Sequence, residues 1–167
     1  MSQIADYHLE ILTSEDQTRI SEFANRRLAA AIGDETERTF ASWKAAWRPE
    51  ALEHYLKLGW SFGVFNRAEG DQLNGKRMTL AGFSLVQPIL FYRGQTQTLW
   101  AEYFDAETQT AQNSLVDFTI KMARDKHLQR VLIQNGKIEQ KFVLTQSYAN
   151  QATLLSDGIL EIRTTKG

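Results

Sequence analysis

Cysteine is absent from this 167-residue chain. Disulfides, zinc–thiolate sites and a thiol nucleophile are therefore excluded. Histidine is scarce: His8, His54 and His127 stand apart, with no i,i+4 or H-x-H spacing, so no metal site is expected of them. No apolar run approaches a membrane span. The opening MSQIADYHLE lacks a basic-then-apolar signal pattern, and a cytoplasmic location is expected. An excess of positive charge is missing too, the net charge being −1. That argues against nucleic acid or an anionic membrane surface as the main partner. Arg26-Arg27 and Lys76-Arg77 are too short to change this and read as solvated surface.

What is present is an ordinary globular balance, 43% apolar and 23% charged, long enough for a single domain spanning 1–167. YHLEIL (7–12) alternates and reads as a strand. Ser14 with Gln17 three residues on has the capping-box pattern of a helix start. Ile20, Phe23, Ala24 and Leu28 then share one helical face up to about Ala31, with Gly33 as a stop. A second helical region covers roughly 35–58. Its Phe40, Trp43 and Trp47 recur at i, i+3, i+7 and read as core, with a ligand-pocket wall as the alternative. Pro49 suits the first turn of a further helix, which Gly59 ends. Strands follow at 60–66 and 78–86, with the hairpin signal Asn74-Gly75 between them. Pro88 marks a bulge or the end of pairing. Arg93-Gly94-Gln95 turns the chain into a third meander strand, 97–104.

Thr110, or else Thr108, then caps a helix. Its two adjoining apolar stripes, Ala111, Leu115, Phe118, Met122 and Val116, Ile120, Ala123, suit packing on a sheet, with Asp117–Lys121 as an exposed pair. RVLIQ (130–134) is a short buried strand. A strand, helix and strand in this order make a right-handed crossover with parallel flanking strands. The segment 138–155 is undecided between helix and hairpin strand, and GILEIR (158–163) is the last strand.

This order resembles the GCN5-related N-acetyltransferase (GNAT) fold over nearly the whole chain. YHLEILTSEDQ is similar to that family's opening strand and helix start, LAGFSLV to its central hairpin strand, and ANQATLLSDGILEI to its closing helix followed by Gly and an apolar residue. The resemblance implies an α+β fold. A mixed central sheet with an antiparallel meander would carry a crossover helix and flanking helices.

It also implies a site. With Leu115 and Val116 at the family's apolar pair, the pyrophosphate loop Gln/Arg-x-x-Gly-x-Gly/Ala falls on Glu107-Thr108-Gln109-Thr110-Ala111-Gln112. Glycine is missing there. Thr110 and Gln112 stand at the glycine positions, where bare backbone N–H groups normally meet phosphate. Asp105 and Glu107 bring acid beside it, at a cost on the order of 1 kcal/mol each. The resemblance places cofactor contacts at Tyr103, Phe104, Thr108, Thr110, Ala111 and Gln112. It offers Glu102 as base toward an acceptor amine and Tyr148 as the acid for a leaving thiolate. The competing structural readings are a polar-facing strand residue for Glu102 and a core tyrosine for Tyr148. The pocket is expected where 97–104 and 130–134 part, near Trp100, Glu102, Tyr103 and Phe104.

Two function classes follow. One is a diverged GNAT-like domain with no certain cofactor that binds a small molecule or protein partner, a homodimer among the options. The other is an N-acyltransferase that takes acetyl-CoA or another acyl-CoA through a variant loop and acts on a small amine or peptide N-terminus.

Overall fold

The computed structural model describes residues 7–67, 78–92, 96–134, 152–155 and 158–164. The Asn74-Gly75 and Arg93–Gln95 turns, Tyr148 and most of the undecided 138–155 segment lie outside these residues.

The chain runs β1 (Tyr7–Ile11), a 3-10 turn (Ser14–Asp16), α1 (Gln17–Ala31), α2 (Glu35–Trp43), α3 (Pro49–Leu58), β2 (Phe62–Arg67), β3 (Met78–Tyr92), β4 (Thr96–Ala106), α4 (Gln109–Asp125), β5 (Arg130–Gln134), β6 (Ala152–Leu154) and β7 (Ile159–Arg163). The strands form one sheet in the order β1-β2-β3-β4-β5-β7-β6. Pairing is antiparallel from β1 to β4, parallel between β4 and β5, and antiparallel again through β7 and β6. The mixed sheet and crossover expected from the element order are both present. The one described piece of the undecided segment, Ala152–Leu154, is a strand paired with β7.

Each face of the sheet carries its own core. On one face, α4 lays Ala111, Leu115, Val116, Ile120 and Ala123 onto Phe62, Val64, Leu99, Ala101, Phe104, Val131 and Ile133. On the other, α1 and α3 cover Phe65, Leu80, Phe83 and Leu85 with Ile20, Phe23, Ala24, Leu52 and Leu56. Phe23 meets Phe83 edge to face at 5.9 Å. Burying each such side chain contributes about 1.5–3 kcal/mol. Among the described residues no helix is long and apolar enough to cross a membrane, and no cluster of three or more His, Asp or Glu could hold a metal.

Several local expectations shift. The first helix start is capped one residue earlier than the sequence pattern suggested: the Asp16 carboxylate accepts from Thr13 N at 2.8 Å. β3 runs through Pro88, which pairs with Leu99, so pairing does not end there. The Phe40, Trp43, Trp47 stripe is not one core face. α2 stops at Trp43, so the helical period never reaches Trp47. Trp47 is buried in the α1–α3 layer, while Phe40 and Trp43 are 53% and 65% exposed and stacked edge to face on each other.

Candidate functional site

Strand register creates the site. Leu85 pairs with Tyr103 and Val86 with Ala101, so Glu102 is an extra residue in β4 without a partner across β3. On the other side, pairing with β5 is registered up to Ala101–Ile133, although β5 continues to Gln134. Glu102 therefore stands at a bulge in the β3–β4 ladder, just past the last registered β4–β5 pair, and bulges re-aim side chains. Its carboxylate accepts the Trp100 indole N–H at 2.5 Å. Glu102 also faces the α3 side, where its charge acts on Tyr55. Burial, and then Glu102, push the Tyr55 hydroxyl up to about 12, against a smaller opposing effect of Arg48.

Tyr103 and Phe104, grouped together by the family resemblance, point to opposite faces. Phe104 is buried under α4. Tyr103 packs on Phe83 at 5.4 Å in the other layer. Its hydroxyl lies against the Trp47 indole N–H and the Asp105 carboxylate, and burial followed by the Asp105 charge pushes its pKa upward.

The two acids that were expected to repel phosphate are both tied to α1. Arg27 grips the buried Asp105 with its Nη2 at 2.9 Å and its Nε at 3.2 Å from each carboxylate oxygen. Arg26 reaches Glu107 at 3.0 Å. The Arg26-Arg27 pair, taken from sequence as solvated surface, instead bridges α1 to the end of β4. Arg27 falls on the same helical face as Ile20, Phe23 and Ala24, which was a local sign of burial but named no partner.

Only Glu107 and Thr108 separate β4 from α4. The cap is Thr108 rather than Thr110, because β4 extends to Ala106 and leaves no room for a longer loop. Thr108 Oγ1 accepts from Ala111 N at 3.1 Å, and its carbonyl accepts from Gln112 N at 3.0 Å. The same hydroxyl meets the Tyr7 hydroxyl of β1 at 2.8 Å. Thr110, Ala111 and Gln112 thus lie inside the first turn of a helix, with Ala111 fully buried. Thr108, Thr110, Ala111 and Gln112 gather at this helix start. Glu102, Tyr103 and Phe104 are distributed between the bulge and the two faces of β4.

Tyr55 makes a test of this geometry. A tyrosine whose folded pKa is raised favours its neutral form in the native state. Its stabilising contribution is complete below about pH 10, the unfolded value, and is lost as pH rises toward about 12. The loss is on the order of 2 kcal/mol. Urea denaturation from pH 9 to 12 is expected to show this decline, with Tyr55→Phe flattening it. An unchanged alkaline slope in the variant would place Tyr55 in ordinary solvent.

No family model matches this chain, and no curated protein matches it in sequence. Solved structures do match. PaiA N-acetyltransferase from Thermoplasma acidophilum, in complex with coenzyme A, is 16% identical, with 95% of this chain and 99% of that one covered and a TM-score of 0.61. A GNAT-family acetyltransferase from Listeria monocytogenes is 11% identical over 98% and 96%, with a TM-score of 0.60. The NatC complex bound to Gag peptide and CoA matches at 9% identity over 95% and 96%, with a TM-score of 0.58. The chain has the GNAT fold.

Proposed function

We propose that this GNAT-fold domain does not grip a coenzyme A pyrophosphate through the turn after β4. It binds a small molecule or protein partner instead. One observation carries this reading: the Thr108 side chain caps the amide of Ala111. That N–H stands in the segment that the family leaves bare for phosphate, and here side chains at Thr110 and Gln112 flank it as well. The residues present do not fit the pyrophosphate in the family's manner. Asp105 and Glu107 add less to this than their charge alone would, since arginines of α1 neutralise both.

A second reading, an N-acyltransferase on a small amine or peptide N-terminus, is favoured by Glu102. A partly buried carboxylate at the bulge where β4 and β5 part is suitably placed to take a proton from an acceptor amine. A match in fold to a protein solved with coenzyme A supports the same reading.

Calorimetric titration with coenzyme A and acetyl-CoA separates the two. The parent is expected to show no saturable binding at concentrations that would saturate a micromolar site. The variant Glu107→Arg, Thr110→Gly, Gln112→Gly restores the family pattern. It should bind coenzyme A more tightly than the parent, with the gain fading in high salt. It should also lose stability by about 1 kcal/mol for each glycine placed in the helix. Micromolar binding by the parent, unimproved in the variant, would overturn the proposal in favour of the acyltransferase.

A further inference from the structure

A cleft of about 450 Å³ lies between α1, α2 and the start of α3. That volume is within the range of small-molecule sites, about 300–1,000 Å³. We propose that it binds a small zwitterionic aromatic molecule of the aromatic α-amino acid type.

The walls supply the aromatic part. Trp43 lines the cleft while 65% exposed, steadied by its edge contact with Phe40 at 5.2 Å. Trp47 lines it from within, 7% exposed, with its indole N–H held against the Tyr103 hydroxyl. Two indoles fixed by neighbours offer a flat ring contact area at little cost in conformational freedom.

Charge supplies the rest. Arg48 and Glu50 both line the cleft. Although only one residue separates them, no ion pair joins them, and neither has an ionic partner among the described residues. Arg48 Nη1 donates to Ala45 O at 3.1 Å, which leaves the guanidinium other donors. Asn25 donates to Ser21 O at 2.9 Å, so its amide oxygen is an acceptor at the same cleft. A simple cation meets Arg48 here, a simple anion meets Glu50, and an uncharged ring leaves both unanswered. A ligand with a carboxylate for Arg48, an ammonium for Glu50 and an aromatic ring for Trp43 and Trp47 satisfies all four.

L-tryptophan is the first probe, followed by ligand-observed NMR and calorimetry, with tryptamine, indole-3-propionate and indole as partial analogues. Saturable binding of L-tryptophan is expected, tighter than that of any analogue lacking one charge. Trp43→Ala, Arg48→Gln and Glu50→Gln are exposed positions whose fold is checked by circular dichroism. Each is expected to weaken binding roughly ten-fold or more, the scale of a lost charged hydrogen bond or aromatic contact. Glu102→Gln and the α4 loop variant should leave it unchanged, which separates this site from the bulge in β4 and from the fate of the coenzyme A reading. No saturation by L-tryptophan or L-phenylalanine would overturn the proposal. So would equal affinity for indole alone, or binding indifferent to all three cleft variants.

Discussion

Replacing Arg27 with alanine is expected to destabilise the fold by about 3 kcal/mol, the low end for breaking a buried ion pair. The low end applies because the Arg27 side chain is 38% exposed, whereas that of Asp105 is 3% exposed. Without Arg27, the Asp105 carboxylate is left in the α1–α3 layer beside the Tyr103 hydroxyl. Its charge then loses a guanidinium that contacts both of its oxygens. The double variant Arg27→Leu, Asp105→Leu removes both charges and should recover much of the loss, since apolar replacement of a whole buried pair is often neutral. Arg26→Ala is the control. Its pair with Glu107 is 61% and 33% exposed, and such pairs contribute about 0–1 kcal/mol. Urea denaturation of the four proteins decides the matter. An Arg27→Ala loss as small as that of Arg26→Ala would reduce the Arg27–Asp105 bridge to a surface contact.

Gly82→Val is expected to cost about 3 kcal/mol, the upper range for overpacking. A Cβ at Gly82 would stand 2.8 Å from the Asp105 carbonyl and 2.9 Å from Ala106 Cβ. The nearest obstacle is backbone, which cannot rotate away. Gly82 pairs with Ala106 at the last rung between β3 and β4, and next to it Glu107 N donates to Ala81 O at 2.8 Å. Forcing the strands apart there displaces the turn that starts α4, so the amide signals of Glu107–Ala111 should move along with the melting temperature. Gly33→Ala, where a Cβ meets nothing within 4 Å, should be close to neutral. Equal stability of Gly82→Val and Gly33→Ala would show that the strands have slack at this rung.

The frame of the fold was legible because periodicity reports burial. The Ala111, Leu115 and Val116, Ile120 stripes of α4 do face the sheet, and the strand–helix–strand order does give a parallel pair. What failed was each inference needing an exact end or a distant partner. Phe40, Trp43 and Trp47 had the right spacing for one face, but α2 ends between the second and the third. Thr108 and Thr110 carry the same chemistry, and the length of β4 chose between them. The bulge at Glu102 arises from the register between two strands and has no local signature. Arg27 and Asp105 lie 78 residues apart in sequence, and no helix or strand rule connects them. Fold was thus readable from near neighbours in the chain, whereas the polar network of the candidate site depends on the finished tertiary arrangement.

The strand order has a kinetic side. From β1 to β5, spatial order follows chain order, so the β2–β3–β4 meander and the β4–α4–β5 crossover each close short loops, which carry the smallest entropic cost. β1 is different: it must wait for β2 across the whole of α1, α2 and α3. Its docking brings Tyr7 to Thr108, joining residues 101 positions apart. The hydroxyl contact at the start of α4 is therefore expected to form late in folding and to be lost early when the edge strand frays.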